Sequence, residues 1–406
     1  MKISQMRWLD QWFGSILCAC ASGVEKMRRL LAGNSDSPIG ERLLLIKLSE
    51  MGVNVMLGDP MRKLQRTYRR ENIWCMAFAE SKQIMEIMNL VPCENMLFIT
   101  TENLFKFTKS LLRAIGVIRK NKIDVVLNLE FFSRAASLIT WLTGARRRVG
   151  LHNYYGEGPY CGTLMTHGIK FNPHLHISQM LDAMAEAVTL ETGILQRIEY
   201  TPLHIATIPD RFQPTENEER SVVKLLRDHG HKDRETIVLI NANTSDRELI
   251  PLRRWSELCY ADLAKGLLNN YPNMRIFLTG SSKECATIDK LEKIIASPRC
   301  LSIAGKTNMR ELITLYWHAK VMITNDSGPA HFASLTDMAV VVLFGPESPS
   351  LWRPLGRNVH VVSRALACSP CFSIYNGRRS GCRKNVCMDM APGQVLAIVK
   401  TVLDAS

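Results

Sequence analysis

Short apolar runs alternate with longer stretches of helical periodicity along most of the chain. The runs RLLLIKLS, IWCMAF and IDVVLNLE in the first half, and TIVLINAN, MRIFLTGS, VMITNDSG and AVVVLFGP in the second, are apolar almost without interruption. Runs of this kind are typical of strands covered on both faces. Segments with helical spacing, such as LFKFTKSLLRAIGVIRKN and SRAASLITWLTG, lie between them. This order predicts an α/β fold with two doubly wound, Rossmann-like domains.

A change in composition near the middle of the chain separates the two halves. Residues 207–235 contain two prolines, the charged run ENEER and the polar run DHGHKDR, which together are typical of a passage between domains. The length of 406 residues also exceeds that of one ordinary core. We therefore predict an amphipathic segment at 1–40, a first domain at 41–206, an interdomain passage at 207–235 and a second domain at 236–406.

The N-terminal segment carries an apolar stretch from Trp12 to Val24 with basic residues on both sides. The stretch is too short to cross a bilayer, which needs about twenty apolar residues. Three interpretations remain: an interfacial helix on a membrane, a signal peptide with Ala19-Cys20-Ala21 as its cleavage site, and a helix packed on the protein's own surface. We favour the first, in which the headgroup region would receive Trp12, Phe13, Ile16 and Leu17.

The chain is basic, with 51 Lys and Arg against 38 Asp and Glu and a net charge of +13. Such a surface favours anionic partners, for example an acidic lipid or a phosphorylated sugar. The sequence shows no recognition-helix, zinc-finger or RNP signature, so nucleic-acid binding is not expected. Short basic clusters are usually solvated, and we interpret in this way the clusters at Arg69-Arg70, Arg146 to Arg148 and Arg253-Arg254.

The loop NDSGPAHFAS directly follows the apolar run VMIT. Pro329 fits the first position of a helix, Gly328 allows a close approach of the backbone, and Asp326 or Ser327 can cap. The free N–H groups of such a turn bind anions, including a diphosphate. His331 lies on the same turn and can donate to a phosphate oxygen.

Two further loops follow strands of the second half and carry similar groups. FLTGSSKE offers Gly280, Lys283 for a phosphate and Glu284 for ribose hydroxyls. NANTSDRELIPLRRW adds hydroxyl and guanidinium groups at Ser245, Arg253 and Arg254. Neither these loops nor AGKT at 304–307 matches a dinucleotide or Walker fingerprint.

The region AGKTNMRELITLYWHAKVMITNDSGPAHFASLTDMAVVVLFGPESPSLWRPLG resembles the signature of the lipopolysaccharide heptosyltransferase family. The shared features are a D-[ST]-G-P-x-H loop, a strand ending in F-G-P and a nearby Trp-Pro pair. The resemblance covers about residues 41–395. It implies a GT-B fold, in which two Rossmann-like domains face across a cleft, with the donor on the second and the acceptor on the first.

The same resemblance implies an inverting enzyme that moves a heptose from ADP-heptose to a lipopolysaccharide core acceptor, without a metal or other cofactor. Such an enzyme would lie peripherally on the cytoplasmic face of the inner membrane. The alternatives are a catalytically silent nucleotide-sugar-binding member and a sugar-nucleotide epimerase. Carried over by residue, the donor diphosphate and heptose would contact Asp326, Ser327, Gly328, Pro329 and His331, with Glu284 beside the ribose.

The first loop departs from the family pattern. Family members commonly place an aspartate, the proposed base, directly after a glycine, but here Val53 follows Gly52. Glu50 is the favoured substitute, with Glu130 and Asp59 as alternatives and the absence of a base as a fourth possibility. For the acceptor, the candidate contacts in the first domain are Asn54 and Arg134.

The C-terminal tail spaces four cysteines as C-x2-C-x10-C-x4-C, at Cys368, Cys371, Cys382 and Cys387. This spacing is close to that of a zinc site, but reduced packing thiols are favoured over zinc or disulfides, and we expect no metal. Basic residues in the tail are interpreted mainly as a solvated loop, with contact to a phosphorylated acceptor as the alternative. They are Arg378, Arg379, Arg383 and Lys384.

Overall fold

The computed structural model describes residues 3–32, 39–154, 156, 158–200, 202–203, 210–244, 251–378 and 380–405. They form two compact units: unit 1 comprises Met1–His204 with Ile374–Arg378, and unit 2 comprises Ile205–Ser373 with Arg379–Ser406. Each unit is built on one parallel sheet of six strands with helices around it. The predicted α/β class with two Rossmann-like sheets is therefore confirmed.

Unit 1 has the strand order β3-β2-β1-β4-β5-β6. The strands are β1 (Leu43–Ile46), β2 (Ile73–Phe78), β3 (Met96–Ile99), β4 (Val125–Asn128), β5 (Arg147–Leu151) and β6 (His167–Ile169). The helices are α1 (Ile3–Ala32), α2 (Met51–Asn54), α3 (Gly58–Leu64), α4 (Lys82–Met88), α5 (Leu104–Lys120), α6 (Arg134–Leu142) and α7 (Ile177–Glu186). Side-chain caps define where two helices begin: Asn103 accepts from the N–H of Lys106 at α5, and Ser133 accepts from that of Ala136 at α6.

Unit 2 has the order β12-β11-β10-β7-β8-β9. Its strands are β7 (Thr236–Asn241), β8 (Met274–Leu278), β9 (Cys300–Ser302), β10 (Val321–Asn325), β11 (Ala339–Phe344) and β12 (Val359–Ser363). Its helices are α8 (Glu216–Asp228), α9 (Glu257–Asn270), α10 (Cys285–Ile295), α11 (Met309–His318), α12 (Gly328–Phe332), α13 (Pro349–Trp352) and α14 (Pro392–Asp404). Counted from the first strand of each unit, both sheets have the Rossmann order 3-2-1-4-5-6.

Helices α5 and α6 cover one face of the sheet of unit 1. Ala114 and Ile118 of α5, and Ala136 and Ile139 of α6, are buried in one cluster with inward residues of β1, β2 and β4. Arg119 near the end of α5 donates to the carbonyl of Leu142 at the end of α6, at 2.9 Å. The two helices therefore lie on the same side of this sheet.

Helix α1 packs against the outside of α6. Cys18 and Ala21 are buried with Leu164, and Leu138 and Trp141 of α6 pack against this cluster. One face of α1 is therefore packed on the protein's own surface, as the third interpretation of the N-terminal segment predicts. The opposite face is exposed and apolar, with its large side chains at Trp12, Phe13, Ile16, Leu17, Val24, Met27, Leu30 and Leu31. Among the described residues, no helix combines the length and apolarity needed to span a membrane.

A buried ion pair joins α1 to the sheet. Glu25 accepts from Arg148 of β5, and the side chains are 2% and 1% exposed. Arg147, the neighbouring residue, is also buried and donates to the carbonyls of Val188 and Leu190 at 2.7 and 3.0 Å. The interpretation of the Arg146 to Arg148 cluster as a solvated face is therefore wrong for Arg147 and Arg148. These two belong to a strand, and their partners come from distant parts of the sequence.

We predict that Glu25→Gln lowers the free energy of unfolding by about 3 kcal/mol at pH 7, because Arg148 would remain buried without a counter-charge. Burial alone would raise the pKa of Glu25, but hydrogen bonds from Arg28 and the charge of Arg148 lower it from 4.5 to about 2. The contribution of this carboxylate is therefore complete above about pH 4.5 and is lost as the pH falls through about 2.

Urea unfolding followed by circular dichroism at several pH values measures this effect. The difference between wild type and Glu25→Gln should shrink as the pH approaches 2, while the exposed control Glu94→Gln should match wild type throughout. A difference that stays constant with pH would show that the ion pair is not its origin.

Candidate functional site

Strand order places two pairs of loops at the switch points of the two sheets. In unit 1, β1 and β4 are neighbours, and in unit 2, β7 and β10 are neighbours. The chain leaves the carboxyl ends of such a pair in opposite directions, which opens a crevice where α/β proteins bind ligands. The candidate residues Glu50 and Glu130 follow β1 and β4, whereas Arg253 and Asp326 follow β7 and β10.

Glu130 holds the loop that follows β1. Its carboxylate accepts from Lys47 Nζ at 2.9 Å, from the Ser49 N–H at 3.0 Å and from Ser49 Oγ at 2.9 Å. Both Lys47 and Glu130 are buried, so each supplies the charge that the other needs inside the protein. Because both carboxylate oxygens are engaged in fixing the loop, Glu130 is better suited to a positioning role than to proton transfer.

Glu50 is held at the end of the same loop in a left-handed backbone conformation, with φ 64° and ψ 70°, immediately before α2. This conformation costs a side-chain-bearing residue about 1–3 kcal/mol. Lys47 Nζ lies 3.5 Å from Oε2 of Glu50, and Arg378 donates to Oε1. The Glu50 side chain is 18% exposed, so the carboxylate is fixed between two cations but still reaches the surface.

Arg378 comes from the short tail segment that belongs to unit 1. Tyr375 anchors this segment: its hydroxyl donates to the carbonyl of Phe171 at 3.2 Å, and its ring packs against Phe132 and Phe171. The solvated interpretation of Arg378 is therefore wrong. Sequence reasoning missed its pairing with Glu50 because the two residues are far apart in the chain. Lys47 did have a local signal, since it is a lone charge within the apolar run LLLIKL.

The remaining candidates of unit 1 have other local roles. Asp59 lies in the first turn of α3 and pairs with Arg62. Arg134 pairs with Asp10 of α1 and donates to the carbonyl of Tyr160 at 2.9 Å, so it helps to attach α1. Asn54 is fully buried, and neither of its amide atoms hydrogen-bonds to any described residue. The structure does not bring Asn54 to a surface that an acceptor can reach.

In unit 2, an ion pair links the loops after β7 and β10. Arg253 Nη1 lies 2.9 Å from Oδ2 of Asp326, which is 4% exposed. Asn325 strengthens the link, since it donates to the carbonyl of Ala242 at 2.9 Å and accepts from the N–H of Trp255 at 3.0 Å. Alone, the Asp326 carboxylate would repel a phosphate, but the Arg253 guanidinium offsets its charge.

The turn after β10 is a short helix, α12, as the sequence predicts, but its residues are placed differently. Gly328 occupies the first helical position and Pro329 the second. Ser327 is the N-cap residue, and neither it nor Asp326 caps through a side chain, since the cap position shows no side-chain hydrogen bond and Asp326 pairs with Arg253. His331 is buried in this turn.

The loop after β8 lies next to the β7 loop because β7 and β8 are adjacent. Glu284 accepts from the N–H and hydroxyl of Ser281 at 2.7 and 2.8 Å, which makes it part of a capping box. Lys283 is exposed. A Cβ at Gly280 would lie 3.3 Å from Nδ2 of Asn243, so this glycine permits a close approach between the two loops.

Arg254 is tied to its own loop, since it donates to Oγ1 and the carbonyl of Thr244 at 3.0 and 3.1 Å. Ser245, the predicted hydroxyl contact of this loop, lies outside the described residues. The structure thus brings Arg253 and Asp326 into contact. It assigns local structural bonds to Arg254 and Glu284.

Of the four tail cysteines, Cys387 is buried, Cys371 is half-buried, and Cys368 and Cys382 are exposed. Burial raises the pKa of Cys387, and the neighbouring thiols of Cys371, Cys382 and Cys368 raise it further. All four are free thiols. Within the described part of the chain, no group of His, Cys, Asp and Glu side chains is arranged to hold a metal ion.

Known proteins share parts of this sequence. Lipopolysaccharide heptosyltransferase 2 of Salmonella typhimurium is 33% identical over 118 residues, which are 28% of this chain and 33% of that protein. Lipopolysaccharide heptosyltransferase 3 of Escherichia coli is 23% identical over 255 residues, which are 63% of this chain and 68% of that protein. The chain therefore spans only about a third of the length of the first of these relatives.

Solved structures share the fold over nearly the whole chain. The structure of E. coli ADP-heptose lipopolysaccharide heptosyltransferase II has a TM-score of 0.65 at 22% identity and covers 89% of this chain and 98% of its own. A family 9 glycosyltransferase from Veillonella parvula has a TM-score of 0.69 at 17% identity, with coverages of 92% and 100%. These matches support the GT-B fold class.

The model of one protein family matches residues 111–378, more than half of the chain. The matched residues include both switch-point loops of unit 2, the β4 loop with Glu130 and the tail segment with Arg378. The chain belongs to glycosyltransferase family 9, the heptosyltransferase family.

Proposed function

We propose that this protein is an inverting glycosyltransferase that moves a heptose from ADP-heptose to a lipopolysaccharide core acceptor. The proposal rests on one observation. Glu50 places a partly exposed carboxylate at the switch point of unit 1, and Lys47 and Arg378 fix this carboxylate from two sides. Glu50 lies in the loop after the first strand, two residues before Gly52, and this is the loop in which the family resemblance places the base. The names of the relatives, lipopolysaccharide heptosyltransferases 2 and 3, support the choice of sugar and acceptor.

In the proposed reaction Glu50 is the general base. It takes the proton of the acceptor hydroxyl as the hydroxyl oxygen forms a bond to the anomeric carbon of heptose. The bond between that carbon and the diphosphate oxygen breaks, and ADP leaves with the electron pair. Attack from the side opposite to the diphosphate inverts the anomeric carbon. Lys47 and Arg378 stabilise the negative charge of the carboxylate before the proton arrives.

Unit 2 is proposed to hold the donor. Arg253 uses Nη1 for Asp326, while its buried Nε makes no hydrogen bond to the described residues. A guanidinium held in this way can offer a further N–H to a diphosphate oxygen. The backbone N–H of Gly328 and the exposed ammonium of Lys283 would add to the stabilisation of the departing diphosphate.

We further propose that the protein acts at the cytoplasmic face of the inner membrane, where a lipid-borne acceptor would be found. The exposed apolar face of α1 supports this location, since Trp12, Phe13, Ile16 and Leu17 are each more than half exposed. Apolar side chains of an amphipathic helix insert between lipid headgroups, and basic residues such as Lys26 and Arg28 favour anionic lipid.

We predict that Glu50→Gln lowers the rate of heptose transfer at least about a hundredfold, because general-base catalysis typically contributes a factor of 10²–10⁴. The assay measures ADP release from ADP-heptose with a truncated core acceptor. Asp59→Asn is the matched control, since Asp59 is the other partly exposed acid of this region, and it should transfer at close to the wild-type rate.

Three outcomes would contradict parts of the proposal. If wild type binds ADP-heptose but releases no ADP with any core acceptor, the protein is a silent sugar-nucleotide-binding member. If it changes the donor sugar without an acceptor, it is an epimerase. If Glu50→Gln transfers as fast as wild type, Glu50 is not the base.

Unfolding measurements distinguish the proposed catalytic role of Glu50 from the structural role of Glu130. We predict that Glu130→Gln lowers the free energy of unfolding by about 3 kcal/mol because Lys47 would stay buried without its main counter-charge. Glu50→Gly should unfold at the same or a higher urea concentration than Glu50→Gln, because glycine adopts a positive φ without steric cost. Urea unfolding curves of the three variants measure both effects. Equal losses for Glu130→Gln and Glu50→Gln would contradict the assignment of Glu130 as the structural acid.

A further inference from the structure

Helix α5 exposes large apolar side chains that no described residue of unit 1 covers. Leu104, Phe105 and Leu112 are 58%, 78% and 63% exposed. Phe105 and Leu112 lie on the side of α5 opposite to Ala114, which is buried against the sheet, and Leu104 is exposed in the first turn of the helix. An exposed phenylalanine with two leucines on one helix is more than the scattered apolar residues of an ordinary surface.

The charges within the helix itself are all positive. Residues 104–122 contain six basic residues and no Asp or Glu. All six are exposed, and they are Lys106, Lys109, Arg113, Arg119, Lys120 and Lys122. The acid just before the helix, Glu102, pairs with Lys106. The outer face of α5 therefore combines apolar and cationic groups.

Helix α1 lies on the same side of the sheet of unit 1 as α5. Both α5 and α6 are buried on that side, and α1 packs on the outside of α6. Among the described side chains of α1, the two acidic residues both form ion pairs: Asp10 pairs with Arg134, and Glu25 pairs with Arg148. Like α5, the exposed face of α1 therefore shows apolar and basic groups.

We propose that the outer faces of α5 and α1 together form a binding surface for a bilayer that contains anionic lipid. Phe105, Leu104 and Leu112 insert at the level of the headgroups, and the cations of α5 bind lipid phosphates around them. Because both α1 and α5 contact the bilayer in this proposal, the side of the sheet that carries α5 and α6 faces the membrane. The proposal extends the membrane location proposed above and does not depend on which sugar is transferred.

The charge pattern favours lipid over a second copy of this chain. Two copies that joined through α5 would bring ten cations together without carboxylates in the same helices, and like charges in contact repel. A bilayer with anionic headgroups supplies the opposite charge and an apolar layer at once. Each basic residue close to such a surface strengthens binding by roughly fivefold.

The test is sedimentation of the full-length protein with vesicles. One set contains phosphatidylcholine alone, and the other adds about one third phosphatidylglycerol. We expect wild type to bind the anionic vesicles more tightly. Phe105→Ser combined with Leu112→Ser should weaken that binding at least about tenfold, since each buried CH₂ contributes about a fourfold factor. Leu258→Ser in unit 2 is the matched control for Leu112→Ser, because both leucines are 63% exposed.

A second variant, Lys109→Glu combined with Arg113→Glu, tests the charges without removing apolar side chains. It should lose at least about tenfold in affinity for anionic vesicles and change little on neutral ones. The control, Lys265→Glu combined with Lys293→Glu, reverses two exposed charges of unit 2 and should bind like wild type.

A variant in α1, Ile16→Ser with Leu17→Ser, separates this inference from the membrane location itself. If it loses vesicle binding while both α5 variants bind like wild type, α1 alone contacts the membrane and the inference is wrong. If no vesicle binds wild type, both proposals fail, whatever the transfer assay shows. If Phe105→Ser with Leu112→Ser instead converts an oligomer into a monomer and leaves vesicle binding intact, the surface joins copies of the chain.

Discussion

A charged side chain that is buried needs an opposite charge and hydrogen bonds inside the protein. The folds of both units depend on this constraint. Glu25 with Arg148, Lys47 with Glu130, and Arg253 with Asp326 are pairs that satisfy it. Each pair joins segments that are distant in sequence. The first attaches a helix to a sheet, and the other two cross the switch point of a sheet. The loops that would carry chemistry are thus fixed by the same pairs that make burial of their charges possible.

The ion pairs at the two switch points differ in where they lie relative to the candidate site. In unit 1 the buried pair of Lys47 and Glu130 supports a third charged residue, Glu50, which remains accessible. In unit 2 the pair itself lies at the candidate site, and Arg253 keeps a further N–H beyond the one that Asp326 accepts. In the proposed reaction, the acid of unit 1 would remove the proton and the cation of unit 2 would stabilise the departing diphosphate.

Much of the fold could be predicted because parallel strands buried on both faces appear in the sequence as continuous apolar runs. Five strands escaped prediction. β5 contains Arg147 and Arg148, β6 and β9 have three residues each, β12 contains His360, and β3 is a short run of four residues that is only half-buried. Local motifs also located the loops after β7, β8 and β10. The partner of each charge could not be predicted, since Arg378 lies 328 positions from Glu50 and no local pattern links them. For the same reason the pairing of Arg134 with Asp10 could not be predicted.

The segment that supplies Arg378 makes unit 1 discontinuous in sequence. A ribosome completes the six strands of unit 1 first, then synthesises the six strands of unit 2, and only afterwards the residues around Tyr375. The nascent unit 1 can therefore form its sheet early, but Glu50 acquires its guanidinium partner only when most of the chain has been translated. The charge environment of the proposed base is thus completed last, after the strands of both sheets have been synthesised.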